Sequence, residues 1–162
     1  MKIQFPNRIN EILTDYFWEI PLKSQSLIYS DFIGNTKYKI LIKGCIPDWF
    51  PKKLLEALTY IKENSPKRYD EILKSTKKIK VGKPTKSRTM GESVPSGIIY
   101  INYEFFKETY PTDLSAIIFH ETLHNRGLDE VSAEKATNAY LNEMHTLGRH
   151  PTFQNYTGKR YA

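Results

Sequence analysis

Leu114-Ser-Ala-Ile-Ile-Phe-His-Glu-Thr-Leu-His124 is the stretch that decides how this 162-residue chain is read. Leu114, Ile117, Ile118 and Leu123 are apolar at helical spacing, so the segment reads as a helix buried on that side. His120 and His124 stand four residues apart and share one helix face, close enough for both imidazoles to bind the same metal ion. Glu121 sits about 100° round the helix from His120, where it reaches a water on that ion rather than the ion itself. A buried helix that presents His, Glu and His needs a reason to keep polar groups inside.

The pattern His120-Glu121-Thr122-Leu123-His124 resembles the zincins, the HExxH zinc metallopeptidases. The resemblance implies one Zn2+ per chain, held by His120 and His124, with Glu121 as general base toward a water whose pKa the metal brings to roughly 7. It also implies a third protein ligand. The chain continues His124-Asn-Arg-Gly127-Leu-Asp-Glu130-Val-Ser-Ala-Glu134. It matches the metzincin pattern H-E-x-x-H-x-x-G-x-x-H at every fixed position but the last, where Glu130 replaces His. A His-His-Glu set is similar to that of thermolysin-type enzymes. Gly127 suits a left-handed residue ending the helix, and Asp129 suits the N-cap of a second helix running to about Met144. Glu130 and Glu134 share one face of that helix; spacing favours Glu130, and Glu134 is the alternative third ligand.

Upstream, residues 7–20 carry apolar side chains at helical spacing and predict an amphipathic helix stopped by Pro21. Residues 26–33 and 37–43, separated by Gly34-Asn35, predict a β-hairpin. Helices are expected from about Pro51 to Glu63 and, capped by Ser65, through about Ser75. A short strand is expected at 78–82, a polar surface loop or flap at 83–96, and the clearest strand at 97–102. Pro111 introduces the HExxH helix, with Thr112 or Asp113 as its cap. In zincins the strand before the active-site helix rims the cleft and offers an open edge to an extended peptide. The resemblance gives that place to Gly97, Ile98, Ile99 and Tyr100. Met144, the sole methionine downstream, is where the resemblance would put a Met-containing turn. In the tail, His145, His150 and Tyr156 are candidates for stabilising an oxyanion.

These elements predict one α+β domain over 1–162: a helix and hairpin in 1–50, an HExxH core with a few-stranded mixed sheet in 51–144, and a tail in 145–162. No apolar run reaches the length of a membrane span, and Met1-Lys-Ile-Gln-Phe-Pro-Asn-Arg has no signal-peptide core. The single cysteine, Cys45, excludes an internal disulfide framework. The expected location is the cytoplasm, or outside the cell by a route that uses no signal peptide.

Net charge is +6, and residues 62–88 hold ten Lys or Arg against three acids. The segment reads either as a solvated surface or as an electrostatic footprint for an acidic partner or nucleic acid. The function expected is hydrolysis of a protein or peptide substrate. The rival expectation is a non-catalytic domain that binds a metal, nucleic acid or a host protein, its metal closed off by a fourth ligand such as His145 or His150.

Overall fold

A computed structural model describes residues 7–18, 25–85 and 89–146. In order, the elements are α1 (Asn7–Tyr16), β1 (Gln25–Ile33), β2 (Thr36–Gly44), α2 (Phe50–Asn64), α3 (Pro66–Ser75), β3 (Lys78–Gly82), β4 (Gly91–Val94), β5 (Ile98–Asn102), a 3-10 turn (Tyr103–Phe105), α4 (Pro111–Asn125) and α5 (Glu130–Thr146). The class is α+β. A five-stranded mixed sheet runs β1-β2-β3-β5-β4, antiparallel at both ends and parallel through β2, β3 and β5. No helix among the described residues is long and apolar enough to cross a membrane.

Strand alternation assigns the two faces of the sheet. Ile40, Ile42, Ile79, Val81, Ile99 and Ile101 point into the main core, where α2, α3, α4 and α5 cover them. Lys78, Lys80, Ile98 and Tyr100 point the other way, under α1 and Trp18. The helix α4 is central to the core. It touches α2, α3, α5, β4 and β5, and every side chain from Leu114 to Leu123 is buried. The burial expected on one side of this helix extends all round it, as for a helix enclosed by the molecule.

Several expectations change. The first helix ends at Tyr16 rather than running to residue 20, because Trp18 leaves it to bridge Pro84. Ser65 does precede α3, but its hydroxyl accepts from Arg68 at 3.1 Å instead of capping the helix. Tyr110 takes the N-cap position of α4; Asp113 accepts its N–H at 3.0 Å from the third helical position. The polar stretch 83–96 is not all loop, since Gly91–Val94 forms β4 against β5.

That last difference moves the sheet edge. β5 is paired on both sides, with β3 and β4, so Ile98, Ile99 and Tyr100 have no open edge to offer a peptide. All three are buried, and Gly97 lies in the turn before them with φ +80°. The edge strand beside α4 is β4. At Gly91 it passes so close to α4 that an added Cβ would lie 3.1 Å from Ile117 Cγ1 and 3.4 Å from Glu121 Cγ.

Candidate metal centre

Gly127 shapes the site by the way it ends α4. With φ +96° it permits a Schellman turn, in which Gly127 N–H reaches the His124 carbonyl at 2.9 Å and Leu128 N–H reaches that of Leu123 at 3.0 Å. The turn sets Leu128's own carbonyl against His124, whose Nδ1 lies 3.0 Å away. It also delivers Asp129 to the N-cap of α5, where Oδ1 accepts from Ser132 N–H at 2.8 Å. That hydrogen bond holds the Asp129 carboxyl below its usual range. Glu130 follows as the first residue of α5, where a helix N-terminus favours a carboxylate.

The hydrogen-bond partners dictate the tautomers of both histidines. Leu128's carbonyl can only accept, so His124 carries its proton on Nδ1. Thr137 Oγ1 donates its one hydrogen to the Ala133 carbonyl at 2.7 Å. It therefore accepts from His120 Nδ1–H, 3.0 Å away. With Nδ1 as the donor, each imidazole in its neutral form presents a lone pair on Nε2. These two Nε2 atoms lie 3.1 Å apart, and Glu130 brings Oε1 to 3.1 Å from that of His120 and Oε2 to 2.9 Å from that of His124. One ligand atom from each of the three residues lies within 4.8 Å of the others. Three electron-rich atoms at such distances repel one another unless a cation, a proton or a metal ion, lies among them.

Metal chemistry fits this donor set. Zinc bound to nitrogen and oxygen at about 2.0–2.1 Å in a tetrahedron spaces its ligand atoms about 3.3 Å apart, close to the separations found. The outer nitrogen of each histidine is tied to an acceptor, as metal-ligating imidazoles require. Of the two candidate third ligands, Glu130 joins the histidines; Glu134, one turn on, is outside the group.

Glu121 is almost fully buried and lines a cleft of about 550 Å³ together with His124 and Glu130. Gly91, Glu92 and Ser93 of β4 form another side, and Phe17, Trp18 and Pro84 close it. That wall is tied in place: Thr85 N–H donates to the Phe17 carbonyl at 2.9 Å, and the Trp18 indole donates to Glu92 at 2.9 Å. Sequence reasoning missed Thr137, β4 and the Phe17–Trp18 wall. Only Thr137 left a trace, since Glu130, Glu134 and Thr137 follow i, i+4, i+7 along one helix face.

Other expected participants lie elsewhere. His145 is exposed on the last turn of α5, fifteen residues beyond Glu130 and so roughly 22 Å along the axis. It cannot complete the coordination sphere. Met144 is about as far away and packs in the main core, so it forms no turn beneath the site. His150 and Tyr156 lie outside the described residues. In the basic segment 62–88, five described cations are ion-paired. Lys62 pairs with Asp31, Arg68 with Glu143, Lys83 with Glu104, and Lys78 and Lys80 with Glu11. Lys80 is 4% exposed. Half of the ten cations in this footprint are thus engaged within the molecule.

The chain matches no protein-family model, no curated protein and no solved structure.

Proposed function

We propose that the chain is a zinc-dependent peptidase, a compact zincin in which His120, His124 and Glu130 hold the metal and Glu121 is the general base. The observation that carries this reading is the convergence of two Nε2 atoms and the Glu130 carboxylate beside a cleft lined by His124, Glu130 and Glu121. Zinc held there would supply Lewis acidity to a substrate carbonyl and lower the pKa of a bound water to about 7. Among the described residues three donors converge and no fourth, which favours a catalytic over a closed structural site.

The chain's own residues have distinct tasks. The edge of β4 borders the cleft, where an extended peptide can add as a further strand. Glu121 takes one proton from water as the water oxygen adds to the scissile carbonyl carbon. The same carboxyl returns that proton to the amine nitrogen as the C–N bond breaks. Burial among Ile117, Gly91 and the core keeps Glu121 in one position. Thr137 and the Leu128 carbonyl hold the imidazoles in orientation.

The test is Glu121→Gln, assayed with zinc content and cleavage of a denatured protein substrate side by side. The expected result is retained zinc with hydrolysis reduced about 100-fold or more. Full activity in this variant would sink the assignment.

A further inference from the structure

We propose that the sheet face turned away from α2–α5 docks onto a bilayer with anionic headgroups. Nine large hydrophobic side chains are exposed among the described residues, and six lie on this side: Ile12, Leu13, Tyr16, Phe17, Ile28 and Phe32. The helix α1 explains three of them, because it sits with its polar side inward. Glu11 and Asp15 face the sheet, Glu11 on Lys78 and both on Lys80, which leaves Ile12, Leu13 and Tyr16 to solvent. A surface helix ordinarily does the reverse.

The hairpin supplies the charge. Its outward positions on β1 are Ser26, Ile28, Ser30 and Phe32, and those opposite on β2 are Lys43, Leu41, Lys39 and Lys37. Three lysines thus share this face with Ile28, Phe32 and Leu41, and no carboxylate stands on that face of the hairpin. None of the three forms an ion pair with a described residue, unlike the lysines of β3. Aliphatic tips beside lysines match the boundary between acyl chains and anionic headgroups. There the former are buried and the ammonium groups stay among the phosphates. Ile12, Leu13 and Ile28 are aliphatic and bury area in acyl chains, and the aromatic Tyr16 and Phe32 suit the headgroup boundary, so the combination with the lysines favours an anionic bilayer. This inference does not depend on the metal site.

The experiment is co-sedimentation of the full chain with vesicles of phosphatidylcholine alone, or with about one third phosphatidylserine, at low salt. Binding is expected to the mixed vesicles and to fall about tenfold or more in Lys37→Glu with Lys39→Glu, and likewise in Ile28→Ser with Phe32→Ser. Circular dichroism checks that both remain folded, as exposed positions should. The charge-matched control Lys67→Glu with Lys74→Glu, on α3, is expected to bind as wild type does. No binding to either vesicle, or an equal loss in the α3 control, would overturn the proposal. Two further measurements test other occupants. Tight binding to a single-stranded oligonucleotide without vesicle binding would assign the face to nucleic acid. A dimer in sedimentation velocity that Ile28→Ser with Phe32→Ser dissolves would assign it to a second copy. Either result overturns the bilayer.

Discussion

Thr137 decides which nitrogen of His120 faces Glu130. Its hydroxyl hydrogen is committed to the Ala133 carbonyl, so the oxygen is left to accept from His120 Nδ1. Valine keeps the shape and removes that acceptor. Thr137→Val should therefore weaken zinc binding about 10- to 100-fold, measured by competition with a chromophoric chelator, and Thr137→Ser should restore it. Unchanged affinity in Thr137→Val would show that His120 is oriented by something else. At this scale the sequence was informative where the geometry is local. His120, Glu121 and His124 lie within about one helical turn, so their relative directions follow from helix pitch alone. Glu130 was favoured on spacing, but separating it from Glu134 required the Schellman turn at Gly127. Thr137 could not be assigned, because its partner is on another helix and the pairing depends on how α4 and α5 pack.

The element that distinguishes this fold from its sequence reading is α1. A surface helix ordinarily turns apolar residues such as Ile12 and Leu13 toward the core. Instead two lysines from β3, far along the chain, attract Glu11 and Asp15 and turn the helix over. No local pattern could reveal that. Burial alone would raise the Glu11 pKa, but hydrogen bonds from Lys78 and Lys80 outweigh it and hold the group down, from the ordinary 4.5 to about 2. A carboxyl depressed in the folded state stabilises above its unfolded pKa and loses that contribution as pH falls through the folded value. The docking of α1 should thus weaken between pH about 4.5 and 2, by about 3 kcal/mol at most. Trp18 packs on Tyr100 with ring centroids 5.3 Å apart, so its emission in a Trp49→Phe background reports the change. Glu11→Gln should flatten the pH dependence in that window, and an identical acid transition in both proteins would contradict the account. The strand β4 escaped notice for a related reason. Gly91-Glu92-Ser93-Val94 has little strand propensity of its own, and its pairing with β5 supplies what the local sequence lacks.

Taken whole, the molecule separates two surfaces that a count of charges runs together. Five of the ten cations crowded into 62–88 are drawn into ion pairs with α1, the hairpin, α5 and the turn after β5. Lysines without such partners stand on the outer face of the hairpin. The α+β class and the order of most elements were legible because hydrophobic period, Gly34-Asn35 and the prolines mark them locally. Sheet order was not, since it depends on which strands meet. The candidate metal centre joins the two levels: a local motif on a helix buried all round, completed by the first residue of the next helix. Its most direct test is elemental analysis of purified wild type beside Glu130→Ala and Glu134→Ala. About one zinc per chain is expected in wild type and in Glu134→Ala, and little or none in Glu130→Ala. Wild type that takes up no zinc even when it is added, or zinc kept in Glu130→Ala and lost in Glu134→Ala, would contradict the site as described.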